Sequence, residues 1–161
     1  MTAIPTHSGA DNSPSTFSFR ELVVCQRSME LCKAIYGIAA SLPESERFGL
    51  TAQIRRAAVS IPSNIAEGHG RLADREFRQY LGIARGSLRE VETQLLLIQS
   101  LGFAASNSIL PALNRAQEVS RLINRLITRL ASRSFSKKHD RPLVSNAPLV
   151  AIHSPAQRAG E

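Results

Sequence analysis

Tryptophan is absent from this sequence, and two tyrosines and six phenylalanines are its only aromatic rings. That scarcity argues against an all-β sandwich and against single-strand RNA readers that stack bases on aromatic side chains. Cysteine is as scarce, with Cys25 and Cys32 the two thiols. Seven residues apart on one helix, they would be separated by about 10 Å, beyond the roughly 7 Å that a disulfide spans between Cα atoms. With no second pair and no histidine beside them, they read as buried free thiols in a reducing cytoplasm, and no metal or other cofactor is expected. The longest apolar run in the body is Leu95 to Ile98, far short of the roughly 20 residues that cross a bilayer. The opening MTAIPTHSGADNSPSTF has no apolar signal core. The reading is a soluble, cytoplasmic chain with no membrane partner. Acid is short as well: 20 Lys and Arg face 13 Asp and Glu, for a net charge of +7. A field of that sign attracts phosphate-rich or otherwise acidic partners.

What is present is helical. A chain of 161 residues, 43% hydrophobic and 20% charged, fits one well-buried domain. Residues 1–16 are rich in Ser, Thr, Pro, Gly and Asn, and residues 134–161 carry prolines at 142, 148 and 155. Both ends read as disordered tails, the second of them basic, around a body spanning 17–133. In that body, apolar residues recur at three and four in four stretches, and nowhere does a two-residue alternation persist.

The first stretch, 22–40, places Leu22, Cys25, Met29, Cys32, Tyr36 and Ala39 on one stripe and ends before Pro43. The second, 48–68, carries Leu50, Ile54, Ala57, Ala58, Ile61, Ile65 and Ala66. Pro62 lies inside it and predicts a kink, and Gly68 and Gly70 predict the exit. The third, 74–101, carries Phe77, Leu81, Ala84, Leu88, Val91, Leu95 and Ile98, with Gly102 as its stop. The fourth, 108–133, carries Ile109, Leu113, Ala116, Val119, Ile123, Leu126 and Leu130, with Pro111 in its first turn. Four such helices on short connections predict an all-α, antiparallel, up-and-down four-helix bundle with a kinked second helix.

Catalytic chemistry is not visible. His69 is the only histidine outside the tails and sits between two glycines, a turn position rather than a base. Glu90 and Glu92, two apart, cannot share a helix face, and the Glu-x-x-His pairs of di-iron bundles are missing. The segment GIARG lacks the Lys and Ser or Thr of a phosphate-binding loop. The expectation is a protein that is not an enzyme.

Two groups of residues remain. Arg55, Arg56, Ser60, Pro62, Ser63, Asn64, Glu67 and Gly68 belong to the stretch IRRAAVSIPSNIAEG. There Pro62 frees a carbonyl near Ala58 that Ser60, Ser63 or Asn64 could satisfy. Small residues at 57, 58, 63 and 66 would admit a close helix, with Gly82, Ala84, Gly86 and Ser87 facing them. That is a packing motif, although Glu67, Asn64, Gln53 and Arg56 could alternatively form a polar cluster. The second group is Arg121, Arg125, Arg129 and Arg133, recurring every four residues, with Arg115 one and a half turns earlier. Four-residue spacing drifts by about 40° per step and makes a slanted basic stripe. Glu118 is the only acid between Ser108 and Arg133.

Three segments carry a resemblance: FRELVVCQRSMELCKAIY, RFGLTAQIRRAAVSIPSNIAEGHGR and EFRQYLGIARGSLREVETQLLLIQSLGF. Together they resemble the 23S rRNA intervening-sequence protein family, also called four-helix bundle proteins, over about half the chain. Where that family usually has Trp after paired valines, this chain has Cys25. The resemblance implies a bundle that assembles as a homopentamer. It also implies a likeness to the accessory proteins of diversity-generating retroelements, which bind a reverse transcriptase and nucleic acid. Two functions follow as expectations. One is a non-catalytic oligomer that holds RNA or a ribonucleoprotein on Arg115, Arg121, Arg125, Arg129 and Arg133. The other is a protein–protein scaffold, such as a reverse transcriptase subunit, whose arginines are merely solvated.

Overall fold

The computed structural model describes residues 18–139, with side chains to 133. A short 3-10 turn, Phe19–Glu21, leads into α1, Val23–Ala40. A second 3-10 turn, Glu44–Glu46, precedes α2, Leu50–His69; α3 is Asp74–Ser100 and α4 is Ser106–His139. Strands are missing among the described residues. Each helix packs on two neighbours: α1 on α2 and α4, and α3 on α2 and α4. The diagonal pairs bring no Cα atoms within 8 Å of each other. Short connections between sequential neighbours force antiparallel directions, so the fold is the expected up-and-down four-helix bundle.

Local chemistry sets the ends. The Glu46 carboxylate accepts from the Leu50 amide at 3.0 Å and caps α2. Asp74 and Glu76 place acid in the first turn of α3, where the helix dipole favours it. At the other end of α3, Gly102 takes φ +71°. Its amide bonds Gln99 O at 3.0 Å and the Phe103 amide bonds Ile98 O at 3.1 Å, the paired closure of a Schellman motif.

The core is aliphatic. Leu31, Ile35, Ile54, Ile61, Ile65, Leu81, Leu88, Leu95, Ile98, Ile109 and Ile123 are fully buried, and each contributes on the order of 1.5–3 kcal/mol. Among the described aromatic residues Phe77 is buried in this core and Phe103 packs half-buried against it. The expected α3 stripe is buried at every position. That of α4 is buried at Ile109, Ala116, Val119, Ile123 and Leu130, with Leu113 and Leu126 half-buried beside them.

The α1 stripe needs correction. Val24, Cys25, Ser28, Leu31, Ile35, Ile38 and Ala39 face the core, while Met29 and Tyr36 are 57% and 44% exposed. The helix carries two apolar faces sharing Cys25 and Ala39. The inner one is interrupted by Ser28, whose hydroxyl donates to Cys25 O at 2.7 Å and so tolerates full burial.

Helix ends differ from expectation as well. Phe48 is exposed and α2 starts two residues later. Gly68 is inside α2, and Gly70, the cap, keeps an ordinary φ of −73°. α4 begins at Ser106, which puts Pro111 in the second turn, and continues to His139. The expected boundary at 133 followed the apolar stripe, whereas the helical backbone runs six residues beyond it, from 133 to 139. The expected tails over 1–16 and beyond 139 lie outside the described residues.

Candidate nucleic-acid interface

The α4 arginines follow from helical geometry. Arg121, Arg125, Arg129 and Arg133 are all exposed, and the drift of their spacing turns the stripe toward α1. Arg125 and Arg129 line a shallow groove between α4 and the start of α1, together with Leu22, Val23, Val24 and Leu122. Farther along the same α1–α4 side, Arg115 lines a second depression with Lys33, Ala34 and Glu30. Its guanidinium donates to Pro111 O at 3.3 Å. Arg115 therefore stands apart from the other four.

Between the two depressions lies the single acid of that stretch. Glu118 accepts from Arg27 Nε at 3.1 Å, and Arg27 also reaches Glu30 at 2.8 Å. Those carboxylates, Glu30 before Glu118, hold the Arg27 guanidinium above its ordinary pKa. Glu92 pairs with Arg89 at 2.6 Å, and Glu90 accepts from Gln94 at 3.2 Å, so neither neutralises α4. Among the described residues, none of the five α4 arginines forms an ion pair. Like charges at four-residue spacing repel one another, and a phosphate backbone would relieve that repulsion.

The family motif is distributed over the flanks of α2. Ser60 Oγ meets Ser87 Oγ of α3 at 2.9 Å, and Asn64 Nδ2 donates to Ser60 O at 2.7 Å and to Ser60 Oγ at 3.0 Å. Ser63 Oγ donates to Val59 O at 2.8 Å. These donors serve the carbonyls of 59 and 60, not that of Ala58 as expected, because side chains at 63 and 64 reach back one turn to their own i−4 partners. Pro62 is buried and α2 continues through it. The facing small residues are brought together only in part: Ser87 meets α2 and Ala84 is buried, whereas a Cβ at Gly82 or Gly86 would find open space.

Glu67, Asn64, Gln53 and Arg56 do not form one cluster. Glu67 Oε1 accepts from Tyr80 Oη at 2.8 Å and from Arg71 at 2.6 Å, and Arg71 also donates to Tyr80 Oη at 2.6 Å. Spacing in the sequence does not reveal Tyr80, since Glu67 lies across the α2–α3 connection from it, whereas Arg71 stands only four residues from Glu67. The Tyr80 hydrogen bond, then that of Arg71, lowers the Glu67 carboxyl below its ordinary range. Gly68 is buried where α3 crosses: a Cβ there would lie 2.6 Å from Tyr80 Cβ and 2.8 Å from Phe77 Cδ2. Arg55 is half-buried with its guanidinium 5.4 Å from the Tyr36 ring centroid, and Arg56 is exposed.

His69 packs edge-on against Phe77, with centroids 5.9 Å apart. Cys25 and Cys32 are free thiols, each raised in pKa by burial. Among the described residues no helix is long and apolar enough to cross a membrane, and no three of His, Cys, Asp and Glu converge as metal ligands.

No protein of curated function matches the chain. Its fold is similar to the crystal structure of a protein of unknown function from the S23 ribosomal protein family of Bacteroides thetaiotaomicron, with a TM-score of 0.62 and 25% identity over 66% of this chain and 96% of that one. Residues 20–125, which contain α1, α2, α3 and the greater part of α4, match the sequence profile described as 23S rRNA-intervening sequence protein, and the chain belongs to that family.

Proposed function

We propose that this protein is a non-catalytic, self-associating four-helix bundle that holds RNA, or a ribonucleoprotein, on the α1–α4 side. The observation that carries this reading is the exposed stripe of Arg121, Arg125, Arg129 and Arg133, to which no described carboxylate is paired. A helix dipole accounts for cations in a last turn, but α4 runs to His139, so the stripe begins well before that turn. The net charge of +7 and the family's description by an rRNA insert support an RNA partner. With few exposed aromatic rings, recognition would act on backbone and shape rather than on bases.

Replacing Arg121, Arg125 and Arg129 together by Gln tests the reading, with helicity checked by circular dichroism. Affinity for a structured RNA should fall steeply. The slope of log affinity against log salt should flatten by about 0.7 to 0.9 per lost phosphate contact. Unchanged affinity and slope in the folded triple variant would exclude α4 as the nucleic-acid face.

A further inference from the structure

On the other side of α1 the surface changes character. The outer faces of α1 and α2 enclose an open groove of about 620 Å³ whose walls include Phe19, Met29, Cys32, Val59, Pro62 and Ala66. Phe19, Met29 and Val59 are 38%, 57% and 41% exposed. Contiguous apolar surface of this kind marks an interaction site rather than scattered exposure. The few polar groups there are already engaged: Gln26 Nε2 donates to Arg20 O at 2.9 Å and Ser63 Oγ to Val59 O.

The charge in the lining of this groove is of one sign. Arg20 is the one charged residue in its lining, and its guanidinium lies 5.9 Å from the Phe19 centroid. One turn beyond the far end, Arg55 stacks 5.4 Å over Tyr36, and its buried Nε has no hydrogen-bond partner. Each end of the groove therefore carries an arginine held over an aromatic ring, and neither arginine forms an ion pair among the described residues.

We propose that this groove is a docking site for an amphipathic helix of another protein, one whose apolar face is flanked by carboxylates. The backbone amides and carbonyls of α1 and α2 are spent within their own helices, so an extended peptide would find no ladder to join. A helix needs only apolar side chains at i, i+3, i+4 and i+7. Residues 22 to 36 of α1 span about 20 Å, matching roughly four turns of a partner. Charge complementarity selects the acidic flank. Within this chain Glu30, Glu44, Glu67, Glu92 and Glu118 already face arginines of their own, and a second copy of the chain as occupant is an outcome of the test below. The proposal is independent of what α4 holds.

The test is selection from a displayed library of helical peptides. Their positions i, i+3, i+4 and i+7 are apolar, and the flanking positions vary between Glu and Lys. Binders to the full chain should show a Glu-to-Lys ratio at the flanks raised about fivefold or more over the starting library. Arg20→Glu combined with Arg55→Glu should reverse the preference. Val59→Glu, at an exposed position that the fold tolerates, should weaken a selected peptide about tenfold or more. A saturating peptide should slow alkylation of Cys32. Failure to enrich binders, an enrichment of Lys, or unprotected Cys32 in the saturated complex would overturn the proposal. So would a change of oligomeric state on Val59→Glu, which would assign the groove to a second copy.

Discussion

Gly68 and Gly82 both lie inside helices, yet substitution at the two should act in opposite directions. At Gly68 an added methyl would overlap the Tyr80 and Phe77 side chains; the Tyr80 contact is at Cβ, which cannot swing away without moving α3. Gly68→Ala should therefore cost about 1–3 kcal/mol, the scale of overpacking a close contact. At Gly82 nothing lies within 4 Å of the built Cβ, so Gly82→Ala should stabilise by about 0.5–1 kcal/mol through helix propensity alone. Urea unfolding of both variants checks the opposite signs.

The neighbouring Glu67 makes a pH-dependent statement. Its pKa is lowered in the fold, first by Tyr80 and then by Arg71. Its contribution is therefore present above the unfolded carboxyl pKa and is lost as pH falls through the folded one. The Tyr80 phenol, bonded to that carboxylate, is raised, so its share is present below the unfolded phenol pKa and is lost as pH rises through the folded value. In an NMR titration Glu67 should have its midpoint below the model-peptide value of about 4.3. Tyr80→Phe should move the midpoint back upward, and an unmoved midpoint would assign the shift to Arg71.

Among the elements, the end of α3 shows how one backbone angle governs a connection. Gly102 has open space around it but stands at φ +71°. Gly102→Ala should therefore destabilise by about 1–2 kcal/mol through the left-handed backbone, although no atom is in the way. Gly102→Asn should cost less, since Asn tolerates that region. Equal losses for the two variants would show that the αL geometry is not what they report. The turn matters because it directs α4 back along α3 and α1, which sets where the arginine stripe lies. Element packing also explains the two unlike flanks of α1. Facing α4 it presents Arg27 and Lys33 beside Arg115; facing α2 it presents Met29 and Cys32.

For the molecule as a whole, half-exposed Leu96, Leu97, Leu101 and Leu110 lie at the end of the bundle where α3 turns into α4. None of the four lines the α1–α2 groove, and Leu97 and Leu101, one turn apart at the end of α3, are the apolar surface on which the proposed self-association is tested. Light scattering at micromolar concentration should find an assembly, with five subunits expected from the family resemblance. In a closed ring the same contact recurs at every junction, so Leu97→Glu should dissociate it completely rather than partially. A monomeric wild-type chain across that range would remove the assembly from the proposed function.

The sequence by itself determined the four helices, their antiparallel order and most of the core, because an aliphatic stripe at helical period has one economical place to go. Phe77 through Ile98 on α3 are the plainest case. It also determined the arginine stripe, since four-residue spacing fixes angle along a helix. Only the tertiary structure decided which of two apolar faces of α1 turns inward, because Ser28 reads as polar until its bond to the Cys25 carbonyl is seen. Tertiary packing likewise decided that Gly68 is a point of contact and not a helix exit. It also placed Arg115 apart from Arg125 and Arg129, and it brought Tyr80 onto Glu67. In each of these cases the deciding atom belongs to another turn or another helix, and one-dimensional periodicity carries no term for it.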